Sequence, residues 1–156
     1  MVNPVEREQP GLIMGAMQRL MPKMTPVHVK LYRLFGGRWV DKSMGAPVLI
    51  LTTTGRRSGE PRQVAVGHLQ DGDDLVVAGT NGGLAPLPAW VLNLQADPRC
   101  KVQIGAEEYD ASAIFLEGAE WEEHWDRFVK AFENYDRAHR WAGRPVPLVR
   151  LALSQD

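Results

Sequence analysis

Between residues 52 and 62 the chain reads Thr-Thr-Thr-Gly-Arg-Arg-Ser-Gly-Glu-Pro-Arg, directly after the apolar run Val48 to Leu51. Three guanidinium groups, Arg56, Arg57 and Arg62, offer planar forks that match phosphate or carboxylate oxygens. The hydroxyls of Thr54 and Ser58 add short hydrogen-bond donors, and the glycines at 55 and 59 let backbone amides converge on one point. The chemistry this favours is anion binding. It is not a P-loop, because no Gly-Lys-Ser/Thr follows a glycine after a four-residue gap. From the residues alone two readings stand side by side: a turn that holds an anion, and an exposed hairpin whose arginines meet only water.

Other reactive groups are sparse. His28, His68, His124 and His139 show no H-x-x-x-H or H-E-x-x-H spacing, so no metal is expected. Ser58 is one residue out of register for a G-x-S-x-G nucleophile elbow. Cys100 has only Arg99 and Lys101 as nearby cations and reads as a small apolar residue at a strand start. An enzyme built this way leaves the hard chemistry to a bound cofactor and supplies orientation and dryness. A second group supports that view: Val77-Ala78-Gly79-Thr80-Asn81-Gly82-Gly83, followed by Pro86 to Pro98. A strand ending in small residues admits a flat ring close to the backbone. Trp90 and Asn93, three residues apart on a short helix, can face one neighbour.

These residues need elements to position them. Apolar residues from Leu12 to Phe35 recur at helical spacing, with Pro22 and Pro26 dividing the segment into two short helices that end at Gly36-Gly37; residues 1–10 read as a mobile arm. Strands are expected over Pro47 to Thr54, Gln63 to Leu69, Leu75 to Gly79, Lys101 to Ile104, Tyr109 to Phe115 and Val146 to Leu153, with Asp71-Gly72-Asp73-Asp74 as a tight turn. Pro88 to Leu94 reads as a short helix, and Glu117 to His139 as one long helix with Trp121, Trp125, Phe128, Val129 and Phe132 on its apolar face. Short strands joined by tight turns, without a helix between successive strands, point to a mainly β barrel or closed sheet covered by helices rather than a doubly wound fold.

The 156 residues, 44% hydrophobic, are enough for one domain with one core, residues 11–156. A net charge of −1 argues against a nucleic-acid partner, so the cluster of arginines is expected to meet a small ligand. A single cysteine fits a reducing cytoplasm, and no segment reads as a secretory leader or a membrane span. The Met-rich stretch Leu12 to Met24, with Arg19 and Lys23, has two readings, a cover over a barrel mouth and a segment that rests on an anionic membrane surface.

The run Pro47 to Arg62, the Asn81-Gly82-Gly83 turn and the segment Pro88-Ala89-Trp90-Val91-Leu92-Asn93-Leu94 together resemble the deazaflavin-dependent nitroreductase family, actinobacterial oxidoreductases that use coenzyme F420. The resemblance spans roughly residues 25 to 153. It implies a split β-barrel, with reduced F420 passing a hydride to an electron-poor acceptor such as a menaquinone-like quinone. It further implies that Arg56, Arg57, Ser58 and Arg62 hold the phosphate and acidic tail, that Gln63, Val64 and Ala65 line the same groove, and that Ala78, Gly79, Thr80, Asn81, Trp90 and Asn93 hold the deazaflavin ring. Quinone-reducing members are similar to one another in carrying tyrosines at positions matching Val129, Phe132 and Tyr135; only Tyr135 is a tyrosine here, and it becomes the expected proton donor to the acceptor. Gly67 and Phe132 are expected to enlarge the acceptor pocket and make it more apolar. An FMN-binding split barrel and a non-catalytic F420 carrier are the alternatives, with monomer and dimer both open.

Overall fold

The computed structural model describes residues 45–155, together with residues 15–16, 26–27 and 29–30 and the backbone of 42–43. Most of the proposed N-terminal helical segment, and all of the arm, lies outside the described residues.

Seven strands are described: β1 (Lys42–Ser43), β2 (Ala46–Thr54), β3 (Pro61–Asp71), β4 (Asp74–Ala78), β5 (Arg99–Ile104), β6 (Glu107–Phe115) and β7 (Leu148–Leu153). Every pairing is antiparallel. The order β2-β3-β4-β7-β6-β5 closes because β2 also pairs with β5, which makes a six-stranded split barrel with β1 appended to β2. Ile50 shows the closure, lying opposite Ala65 on one side and Gln103 on the other.

Period-two alternation sorts the side chains into two layers. Leu49 and Leu51 of β2 and Leu75 and Val77 of β4 join Val102, Val149 and Leu151 in the barrel interior. Val76, Ala78 and Leu148 point outward into a second apolar cluster. Both faces of β2 are covered, since its outward residues Val48 and Ile50 meet Val29. That contact puts part of the N-terminal segment against the barrel wall.

Three α-helices are described. The first, α1 (Ala89–Ala96), buries Trp90, Val91, Asn93 and Leu94, and its apolar side chains complete the barrel interior. The expected single late helix is two: α2 (Gly118–Ala131) and α3 (Asn134–Ala142). Phe132 interrupts the helix with an extended backbone (φ −140°, ψ 98°), while its N–H still donates to the Phe128 carbonyl at 2.8 Å. The break lets Phe128 and Tyr135 meet at 4.9 Å between ring centres over the outward face of β4 and β7. Burying a side chain the size of Phe128 contributes about 2–3 kcal/mol.

At the far end of β3 an ion cluster ties α2 to the barrel. Asp71 accepts from Arg127 at 3.0 Å, from Arg150 at 3.0 and 3.2 Å, and lies 3.0 Å from Nε2 of His124. Burial alone would raise the Asp71 pKa, but hydrogen bonds from Arg127, His124 and Arg150 outweigh it and bring it down to about 2. No helix among the described residues is long and apolar enough to cross a membrane.

Candidate active site

The arginine-rich turn joins β2 to β3 and is held by its own backbone. The Gly55 N–H donates to the Glu60 carbonyl, and the Gly59 N–H to the Gly55 carbonyl, both at 2.8 Å. Gly55 is required for space: a Cβ there would lie 2.7 Å from Ser58 Oγ and 3.1 Å from the Glu60 oxygen. Ser58 Oγ accepts from the Glu60 N–H at 3.2 Å and from Arg62 Nη2 at 3.3 Å, which leaves its own O–H to donate.

Asn93 couples this turn to α1. Its Oδ1 accepts from the Arg56 backbone N–H at 3.1 Å and from Arg56 Nη1 at 3.4 Å, and its Nδ2 donates to Thr53 Oγ1 at 3.0 Å. Asn93 is 3% exposed, so these bonds form out of water, where an unmade one costs about 1–3 kcal/mol. Asn93 therefore braces the anion turn, a different task from facing a ring. Arg57 has no ion-pair or hydrogen-bond partner among the described residues.

Beside the turn lies a cleft of about 570 Å³, within the range typical of ligand sites. Arg56, Arg57, Ser58 and Arg62 form one wall; Gln63, Val64, Asn81, Leu87, Pro88, Ala89 and Trp90 form the rest, with Thr53, Gly55, Asn93 and Pro26. No carboxylate lines it among the described residues. Ala89 and Trp90 of the first turn of α1 line the same space, and the N-terminal end of the helix adds partial positive charge. Trp90 is 6% exposed, so most of its indole belongs to the barrel core and only an edge meets the cleft.

Nine of the expected residues are thus brought together: Arg56, Arg57, Ser58, Arg62, Gln63, Val64, Asn81, Trp90 and Asn93. Others lie elsewhere. Thr54 is exposed and faces a separate hollow with Arg99 and Lys101, the consequence of alternation that turns Thr53 inward instead. Ala65 packs with Val29, Val48 and Ile50. Ala78 joins the cluster beneath α2 and α3, and Thr80 is buried. Gly79 is small for a reason other than ring approach, because a Cβ would come within 2.9 Å of Val91 and 3.0 Å of Pro147.

Gly67, Phe132 and Tyr135 are not among the residues lining this cleft. Gly67 is buried in β3 opposite Val48. Tyr135 is 3% exposed and packs between Phe128 and Phe132, and burial pushes its phenol well above its ordinary pKa. Both facts count against the proton-donor role expected for it. Six lining residues, Pro26, Thr53, Gly55, Leu87, Pro88 and Ala89, were not among the expected site residues. The strand alternation that buries Thr53 was a usable signal, whereas Leu87 and Pro26 carry none.

This geometry is a cleft with one cationic wall and one apolar wall, and comparison with known proteins identifies the family of the chain. The family model for F420H(2)-dependent quinone reductases matches residues 24–152. The chain belongs to the F420H(2)-dependent quinone reductase family. A Mycobacterium tuberculosis protein named F420H(2)-dependent quinone reductase is 28% identical over 134 residues, covering 80% of this chain and 87% of the relative. A solved F420-H2 dependent reductase, FDR-A, is 30% identical with a TM-score of 0.62, covering 67% of this chain and 93% of that one. A heme-binding protein of Mycobacterium smegmatis shares the fold alone, at 18% identity and a TM-score of 0.55 over 70% of this chain and 47% of that one. Family membership makes this chain an oxidoreductase whose cofactor is coenzyme F420.

Proposed function

We propose that the cleft beside the arginine turn is where F420 binds, with its phosphate and acidic tail against Arg56, Arg57, Ser58 and Arg62, and its ring toward Asn81, Leu87 and Trp90. The observation that carries this is the sharing of one cleft, free of carboxylates among the described residues, by three guanidinium groups and an indole edge. The donor set suits such a group. Arg57 has its whole fork available, Ser58 has a donating O–H, and α1 adds the partial positive charge of its N-terminal end.

The bound cofactor would bring the hydride chemistry, the reduced deazaflavin being the donor and a quinone or another electron-poor compound the acceptor. The chain's own contribution is placement. Asn93 fixes the Arg56 backbone, the Gly55–Glu60 bond closes the turn, and the cations hold the anionic part of the cofactor at one end. Val64, Leu87, Pro88 and Trp90 give an apolar wall at the other end that keeps water from the transfer. The Leu12 to Met24 segment is proposed to rest on an anionic membrane surface, and liposome sedimentation with and without residues 1–24 tests it.

The decisive experiment is anaerobic titration of the purified chain with F420, followed by the absorbance of F420H2 during turnover with menadione. Saturable binding and quinone-dependent oxidation are expected. Absence of F420 binding, or equal binding after Arg56→Ala with Arg57→Ala, would overturn the placement.

A further inference from the structure

Arg144 lies outside the cleft, yet one turn that borders the cleft rests on it. Its guanidinium donates to the backbone carbonyls of Gly79 (3.0 Å), Leu84 (3.2 Å), Ala85 (2.6 Å) and Pro86 (3.2 Å), and approaches that of Thr80 at 3.5 Å. A further bond reaches Pro145 at 3.1 Å. No carboxylate pairs with it among the described residues, so carbonyl dipoles alone offset its partly buried charge. Residues 79–86 include Gly79, Gly82, Gly83 and Pro86 and form no ladder of their own beyond one 3₁₀ turn, Asn81–Gly83. Their carbonyls are satisfied largely by this one side chain.

The link to the cleft is direct. Asn81, which lines it, has a left-handed backbone (φ 50°), and its Nδ2 donates to the same Pro86 carbonyl at 2.9 Å. Leu87, Pro88, Ala89 and Trp90 follow immediately and form the apolar wall. At its other end Arg144 is placed by α3, which closes at Gly143 in the left-handed conformation and is anchored by Tyr135, Ala138 and Ala142.

We propose that Arg144 is a positioning residue for hydride transfer, setting the ring-side wall of the cleft by holding the Gly79–Pro86 turn against α3. This rests on the placement of F420 in the cleft. Only arginine suits the task, because its five N–H groups stand in a fixed planar fork that reaches several carbonyls at once. A lysine keeps the charge but presents a single point with three donors. The arginine turn that grips the anionic end is untouched by Arg144, so binding and transfer should separate.

The test uses the full chain carrying Arg144→Lys. F420 affinity, kcat and KM with menadione, and the visible spectrum of bound F420 are measured beside a melting curve. A folded Arg144→Lys is expected to bind F420 within about threefold of wild type while kcat falls at least tenfold and the bound spectrum shifts. A kcat within twofold of wild type overturns the proposal, as does a loss of kcat matched by an equal loss of F420 affinity. Should Arg144→Lys fail to fold, Arg144→Gln, which keeps two N–H donors for these carbonyls and drops the half-buried charge, takes its place. A lowered kcat with F420 affinity retained then supports the proposal, and an unchanged kcat overturns it. Absent F420 binding by wild type sinks the cofactor placement and this proposal together, whereas wild-type binding with an unaffected Arg144→Lys kcat sinks this proposal alone.

Discussion

The two ends of β3 carry arginine clusters that look alike in composition and differ in what completes them. At the Asp71 end two carboxylates, Asp71 and Glu120, sit among Arg127, Arg150 and His124, and the charges offset one another within the half-buried cluster. At the Pro61 end Arg56, Arg57 and Arg62 border a cleft that no carboxylate lines among the described residues, and the neutral amide of Asn93 braces them. The first cluster is saturated and serves stability. The second has no internal counter-charge among the described residues, which is why the cofactor's anionic end is proposed to complete it. Counting arginines does not separate the two; asking where the counter-charge comes from does.

The largest expected effect breaks the open cluster. Arg56→Ala with Arg57→Ala removes two charge-assisted contacts, at about 1.5–3 kcal/mol each, and should raise the F420 dissociation constant about 100-fold or more in a fluorescence titration. The melting temperature should stay within about 2 °C, as is usual for exposed substitutions. A large drop in melting temperature would show that the turn, too, is structural.

Breaking the saturated cluster should do the reverse. Asp71→Asn leaves Arg127 facing a neutral group while Arg150 keeps only Glu120, and should lower unfolding free energy by about 2 kcal/mol in urea, with F420 affinity unchanged. Acid should reproduce this loss without mutation. The folded-state pKa of Asp71, about 2, lies below the ordinary 3.8, so the native state favours the ionised form. Its contribution is complete above the ordinary value and disappears as pH falls through about 2. Wild type should therefore lose stability relative to Asp71→Asn between roughly pH 4 and 2, and parallel curves would show that Asp71 titrates alike in both states.

Asn93→Asp sharpens the contrast by placing a counter-charge in the open cluster. The acceptor for Arg56 remains and Thr53 can donate instead, so folding should survive, while F420 affinity falls about fivefold because part of the cleft's charge is cancelled. The smallest effect is expected from Tyr135→Phe, which alters a ring outside the cleft. A kcat within about twofold of wild type should follow, and a tenfold loss would restore the phenol as a proton donor.

Much of this was legible from sequence because its causes are local. Alternating apolar residues and the Asp71-Gly72-Asp73-Asp74 turn marked the strands within a few residues, and charge plus glycine marked the arginine turn between β2 and β3. The helix break at Phe132 was not legible. Residues 128, 132, 135, 138 and 142 keep helical spacing across it, so no periodicity records the change. Gly79 misled for a related reason: a small residue records a close neighbour without naming it, and the neighbours are Val91 and Pro147. Arg144 gave no signal either, since its partners are carbonyls some sixty residues away, and every residue has a carbonyl.

Trp90 belongs at once to the filling of the barrel and to the wall of the cleft. A lineage exploring new acceptors could not revise that indole without also loosening the interior, so position 90 is an expensive place to experiment. Leu87 and Ala89 border the same space with more solvent contact and lie outside the interior packing. Variation in acceptor preference among descendants of this protein should accumulate at those two positions, around an aromatic pivot that stays put.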